Sequence, residues 1–227
     1  MKGARALTYL EIQAVCAAFS GKYAVRDRTL FLLCANLGTR ITEALNLNVG
    51  DVLQNGEVVE ALYLRRETQK GKREGVSLTL PSGAREALIA YLSWKRASGL
   101  PLRRDTPLFT SRQGSSKRLT RQRAHDIFKA VYAKVGLKGQ VTTHSPRKTF
   151  AKLVYENSGK DLLVTQRALR HRSIENTLYY LDTLADDVTH AMPNFRFSVD
   201  EIGKTSTSKI ISLRQLTKRR AKTQDEP

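Results

Sequence analysis

The 227-residue sequence predicts a mainly α-helical domain with a small antiparallel β-sheet, an α+β fold. Three observations carry that expectation. Apolar residues recur at helical spacing through most of the chain. Capping residues and glycines bracket those periodic segments. Only two short β-like runs, Val58 to Leu64 and Val76 to Leu80, interrupt them. The hydrophobic fraction of 41% suits one domain with a single sizeable core.

Thr8, with Glu11 three residues on, is a capping box opening a first helix that carries Leu10, Val15, Ala18 and Phe19. A second helix runs from Arg26 to Leu37, with Leu30, Leu33, Cys34 and Leu37 in one stripe and Gly38 as its stop. Arg40 follows in the break before a short helix from Thr42 to Leu47, where a buried pairing with Glu43 is one reading of it. The two β-like runs flank a basic connection, Arg65 to Gly75, read as a hairpin whose tip projects Lys70 and Lys72. Ser82 caps a helix to Ala97 whose Leu88, Ile89, Leu92 and Trp94 are core candidates.

A loop from Gly99 to Lys117 leads into a helix from Thr120 to Val135, amphipathic through Ala124, Ile127, Phe128 and Val131 and closed by Gly136. Ser145 and Pro146 read as the cap and first position of a helix to about Asn157. That places His144 just outside the helix and Arg147 in its first turn, where the dipole also favours an anion. Arg147 and Lys148 oppose that dipole, which reads as a local cost that only a bound anion offsets. Asp161 caps a helix through Leu162, Val164 and Leu169, and His171 lies in the turn beyond it. A last helix from Ile174 presents Tyr179 and Tyr180 about 100° apart, so only one of them faces a shared site.

Charge is the compositional outlier. With 39 Lys+Arg against 21 Asp+Glu the net charge is +18, a field that attracts polyanions, nucleic acid first among them. From Arg112 to Arg123 there are five basic residues and no acid, so Lys117, Arg118, Arg121 and Arg123 are candidate phosphate contacts at a helix N-terminus. After Phe197 the pattern dissolves, and Lys204 to Lys222 carries seven basic residues and no acid. Cys16 and Cys34 lie in apolar helical patterns and read as reduced core residues, and no paired Cys/His spacing suggests a metal site. No apolar run approaches a membrane span and the N-terminus does not resemble a signal peptide, so a cytoplasmic, nucleoid-associated protein without a membrane partner is expected.

Arg40, a lysine at 70 or 72, His144, Arg147, His171 and Tyr180 make a poor metal site and a poor proteolytic one. They suit attack by a phenolic oxygen on a phosphodiester. Two guanidinium forks can hold the non-bridging oxygens, and His144 can accept the phenolic proton or hold a phosphate oxygen. Tyr179 is the minor alternative to Tyr180.

Gly38-Thr39-Arg40 with Glu43 and Leu45 beyond, His144-x-x-Arg147, and His171 nine residues before Tyr180 occur in this order over a fitting pattern of helices. In these features the chain resembles the tyrosine recombinases, also called the phage integrase family, from about Leu7 to Leu184. The resemblance implies that family's catalytic-domain fold over residues 1–197, followed by a basic tail at 198–227, flexible or docked on a neighbour. It implies Tyr180 as nucleophile forming a 3′-phosphotyrosyl link, Lys70 (which aligns better than Lys72) protonating the departing 5′ oxygen, and His171 donating to the phosphate. Neither metal, ATP nor another cofactor is required. Double-stranded DNA is the implied partner, contacted also by Lys72, Arg73 and Lys148, with a homotetramer on DNA and accessory DNA-binding proteins. With 39 residues before Arg40, the family's usual N-terminal core-binding domain is expected to be missing. Arg170 stands where the family often has glycine, Pro146 where leucine is common and Lys148 where histidine is common. A catalytically silent DNA-binding regulator and a topoisomerase-like enzyme are the alternatives.

Overall fold

Helix α2 (Ala24–Leu37) is the axis of the core: Leu30, Phe31, Leu33, Cys34 and Leu37 are buried on it. The computed structural model describes residues 3–65 and 75–181. Against α2 pack α5 (Ser82–Ala97), α7 (Ser145–Asn157) and α6 (Arg121–Val135), with α1 (Tyr9–Ala18) lying on α6. Phe19, Phe31, Phe128 and Tyr132 tie α1, α2 and α6 together through tilted and edge-on ring pairs with centroids 5.6–6.5 Å apart. On the other side of α2, Tyr91 stacks between Trp94 at 5.8 Å and Phe109 at 5.5 Å. Its hydroxyl donates to the Leu108 carbonyl at 2.8 Å, which satisfies the polar end of a buried ring.

Helices α3 (Ile41–Leu45), α4 (Val49–Val52), α8 (Leu162–Leu169) and α9 (Ile174–Leu181) complete the helical set among the described residues. The capping box at Thr8 is present: its hydroxyl accepts from the Glu11 amide at 3.2 Å, and the Glu11 carboxylate accepts from the Thr8 amide at 2.9 Å. Asp161 caps α8 through the amides of Leu163 at 2.7 Å and Val164 at 3.0 Å. Two other caps differ by one residue from the expectation. Pro81 caps α5 in an extended conformation and Ser82 is the first helical residue. His144 caps α7, because the Ser145 hydroxyl turns back to accept from the Thr142 amide at 3.1 Å. Pro146 is therefore the second helical position, where its missing N–H is still no loss.

The β structure is three two-stranded antiparallel ladders among the described residues. These are β1 (Leu53–Gln54) with β2 (Glu57–Val58), β3 (Ala61–Leu64) with β4 (Val76–Thr79), and β5 (Thr110–Ser111) with β6 (Gly114–Arg118). The expected strand from Val58 to Leu64 is thus divided. Asn55 and Gly56 take φ of 51° and 85°, closing a tight hairpin that pairs Val58 back to Leu53 and leaves only 61–64 to face β4. The expected loop from Gly99 to Lys117 carries the β5–β6 hairpin. Leu10, Ile89 and Val164, part of the helical apolar patterns, are exposed. Cys34 is buried and Cys16 half-buried, both free thiols. No described helix is long and apolar enough to cross a membrane.

Candidate active site

The C-terminal end of α2 begins the site. Gly38 takes the left-handed conformation at φ 55°, and a Cβ there would run into the ring of Phe150 on α7. Only glycine lets the chain turn so tightly against α7. That turn delivers Arg40 to the N-cap of α3. Glu43, buried one turn on, accepts from the Arg40 amide at 2.8 Å and from its guanidinium at 2.6 Å. The pairing with Glu43 raised by the sequence is therefore present, yet Arg40 keeps 24% of its side chain exposed.

Arg147, in the first turn of α7, is only 1% exposed. Its guanidinium donates to the carbonyls of Gly38 and, at 2.5 Å, of Leu169. These carbonyls stand at the C-terminal ends of α2 and α8, the negative ends of both dipoles, and they hold the cation between them. The expectation that only a bound anion offsets Arg147 at a helix N-terminus is corrected by that grip. Arg170, the C-cap of α8, adopts φ 56° and reaches Glu43 at 3.0 Å. A left-handed non-glycine residue costs on the order of 1 kcal/mol.

From α9, Tyr180 turns inward and Tyr179, 64% exposed, turns out, as the helical phase requires. The Tyr180 hydroxyl lies 3.0 Å from His144 Nδ1, and its ring meets His171 edge-on at 5.1 Å. The Arg147 guanidinium is 5.9 Å from the same ring. His171 Nδ1 is 3.1 Å from the Thr177 hydroxyl. The structure thus brings Arg40, His144, Arg147, His171 and Tyr180 into one cluster, while Lys70 lies outside the described residues.

The cluster is strongly cationic. Burial and then the charges of Arg147, Arg121, Arg40 and Lys148 push the His144 pKa below its usual range. Burial and neighbouring arginines lower His171 to about 4, so both imidazoles are neutral at pH 7. Arg147 is lowered to about 10, chiefly by burial, and stays cationic. Burial raises the Tyr180 phenol although Arg147 and Arg40 pull against it. Glu43 feels burial most, yet Arg170, Arg40 and Arg147 together hold it below the ordinary carboxylate value.

The expected phosphate contacts divide. Lys72 and Arg73 lie outside the described residues. Lys117, Arg121 and Arg123 are exposed on β6 and α6. Arg118 has a structural use the sequence did not suggest: its guanidinium donates to the carbonyls of Leu45 at 3.1 Å and Leu47 at 2.9 Å and to Asn48 Oδ1 at 2.7 Å. Lys148 is buried, with its ammonium 5.8 Å from the Tyr179 ring and 5.7 Å from the Tyr180 ring. Sequence reasoning missed Thr177 and the Arg170–Glu43 contact. A non-glycine residue at a helix stop was the one signal for the latter.

Residues 5–186 match the family model described as the phage integrase family. The tyrosine recombinase XerD of Corynebacterium glutamicum is 32% identical over 164 residues, covering 72% of this chain and 50% of that protein. XerC of Proteus mirabilis is 34% identical over 157 residues, covering 69% of this chain and 47% of that protein. The chain spans about half the length of the curated relatives it matches. In fold it is similar to the XerA recombinase, with TM-score 0.65 and 21% identity over 86% of this chain and 67% of that one. XerH in a post-cleavage complex with its palindromic difH substrate gives TM-score 0.64 and 23% identity over 83% of this chain and 52% of that one. With the family's sequence pattern spread over most of its length and the catalytic-domain fold beneath it, this chain belongs to the phage integrase family.

Proposed function

We propose that the chain is a site-specific DNA recombinase that cleaves and rejoins strands through a 3′-phosphotyrosyl intermediate. The observation that carries this reading is the Tyr180 hydroxyl 3.0 Å from a histidine nitrogen, beside a guanidinium fixed by two helix ends. When His144 carries its proton on Nε2, the phenol donates to Nδ1 and can pass its proton there as the oxygen attacks phosphorus. Arg40 and Arg147 take up the charge developing on the non-bridging oxygens. A Thr177 hydroxyl donating to His171 Nδ1 leaves Nε2–H as a further donor to them. The P–O5′ bond breaks, Lys70 supplies the proton to the departing 5′ oxygen, and the bond energy stays in the tyrosyl ester for a second DNA end. The exposed Lys117, Arg121 and Arg123, with Lys72 and Arg73, supply phosphate contacts. Residues 1–197 form the catalytic domain, 198–227 a basic tail, and assembly is as a tetramer on DNA with accessory DNA-binding proteins. Work in the cytoplasm at the nucleoid follows from that substrate.

The test uses sheared genomic DNA from the source organism. After incubation and denaturation in detergent, protein is captured and the attached DNA sequenced. Recurrent sites are expected with the wild type and none with Tyr180→Phe. An adduct that survives Tyr180→Phe sinks the assignment.

A further inference from the structure

Arg170 occupies a backbone position that glycine would fill without strain, at φ 56° just past the end of α8. Its Nε is buried and, among the described residues, has no hydrogen-bond partner. An unpaired buried N–H and a left-handed arginine are two penalties that glycine avoids altogether. What the residue gains sits at its tip: Nη2 is 3.0 Å from Glu43 Oε2 and 3.4 Å from the Gly38 carbonyl.

Glu43 is also the anchor of Arg40. Its Oε1 accepts from the Arg40 guanidinium at 2.6 Å and its Oε2 from the Arg40 amide at 2.8 Å. One fully buried carboxylate is therefore gripped from two sides. Arg40, 24% exposed, opens on the site, while Arg170, 10% exposed, closes the back. The main-chain amide of Arg40 anchors Oε2 through one hydrogen bond, about which the carboxylate plane can still turn with the Arg40 guanidinium. A second guanidinium on Oε2 removes that freedom. The charge of Arg170 also reaches His171 and Arg147, both neighbours of the phenol.

We propose that Arg170 is a positioning residue: it locks the Glu43 carboxylate so that Arg40 is presented in one orientation beside Arg147 and Tyr180. The kinetic consequence rests on the strand-cleavage reading above; the locking of Arg40 does not. The competing account is an ion pair that merely ties the end of α8 to α3. That account predicts a stability change with Arg40 and chemistry untouched.

The experiment compares wild type with Arg170→Gly, Arg170→Asn and Arg170→Lys. Glycine and asparagine both tolerate the left-handed conformation, so at least one neutral variant should fold. In the DNA-free protein, ¹⁵Nε-arginine NMR follows the Arg40 resonance, assigned by its loss in Arg40→Lys. A narrow Arg40 signal displaced from the free-arginine position is expected in wild type and Arg170→Lys. In Arg170→Gly and Arg170→Asn it should collapse toward the free position. On a nicked duplex built from a recovered adduct site, single-turnover cleavage at saturating DNA should fall about 10–100-fold in both neutral variants, with Kd changed by less than about threefold. Arg170→Lys should recover most of that rate. An unmoved Arg40 signal in the neutral variants, or wild-type cleavage by them, overturns the proposal. If wild type forms no adduct, or Tyr180→Phe still forms one, the recombinase reading fails and the arginine spectrum still decides the role of Arg170.

Discussion

Both ends of α2 bury arginine against a carboxylate, and they do opposite things with it. At the N-terminal end, Arg26 is 0% exposed, paired with Asp27 at 2.8 Å, bonded to the Thr110 carbonyl at 2.7 Å and lying 4.5 Å from the Tyr23 ring. At the C-terminal end, Arg40, Arg147 and Arg170 surround the single Glu43. Burial is the largest influence on both carboxyls. It raises Asp27 above its ordinary value because Arg26, with the exposed Arg112 and Arg123 farther off, does not cancel the desolvation, whereas Arg170, Arg40 and Arg147 pull Glu43 below. A buried arginine is thus no mark of a site by itself. A pair sealed from solvent is closed and structural, while a surplus of fixed cations among which Arg40 keeps 24% of its side chain exposed has a face to offer an anion.

Arg147→Lys makes the sharpest test of that distinction, because it keeps the charge and removes the fork. Lysine cannot span the carbonyls of Gly38 and Leu169 while facing a phosphate. Single-turnover cleavage should fall about 10³-fold. Cleavage within tenfold of wild type would mean that surplus charge suffices without geometry. Arg26→Met is the counterpart at the closed end. Stability in urea should drop by about 3 kcal/mol, since Asp27 and the Thr110 carbonyl lose their partner. Cleavage at saturating DNA should stay within about threefold, and a folded Arg26→Met that cannot cleave breaks the comparison.

Glu43→Gln should act more mildly. It releases Arg40 while adding to the positive field, so cleavage should slow about tenfold with DNA bound no more weakly. Asp27→Asn, its partner substitution, should leave the rate unchanged. Weakened binding in Glu43→Gln would show that the carboxylate shapes the DNA contact rather than Arg40.

What the chain discloses before folding follows the same division between local and distant causes. Thr8 with Glu11, Asp161, and the stops at Gly38 and Gly136 were legible because each acts within a few residues. Helical phase shows that only one of Tyr179 and Tyr180 faces the site, and the nine-residue spacing from His171 selects Tyr180. The Asn55-Gly56 hairpin is equally local, but the apolar run beginning at Val58 masks it. Leu10 and Ile89 fit the helical pattern, but periodicity does not say how far around a helix the covering neighbours reach. The grips on Arg147 and Arg170 are out of reach, since their partners lie up to 132 residues away and are backbone carbonyls or a carboxylate shared with Arg40.

The smallest effect comes from protons, and its sign separates the two ends. His171 titrates at about 4 in the folded chain against an ordinary 6.5, so between these values the unfolded state binds more protons. Stability from this group is complete above pH 6.5 and declines as pH falls toward 4, by roughly 1–2 kcal/mol once solvent screening of a partly exposed ring is allowed for. Asp27 works the other way: its raised folded pKa means protonation on acidification favours the folded state. A whole-protein acid titration therefore mixes opposing slopes, and the informative quantity is the difference between wild type and His171→Asn. The gap between urea midpoints at pH 7.5 and 4.5 should be smaller in the variant than in wild type, the remainder belonging to His144 and the shifted carboxyls. An anion bound between Arg40 and Arg147 should raise the His171 pKa and shrink that gap, whereas nothing at the Arg26 end should respond. A gap indifferent to nicked duplex DNA would mean that the surplus charge at the C-terminal end of α2 does not receive the phosphate.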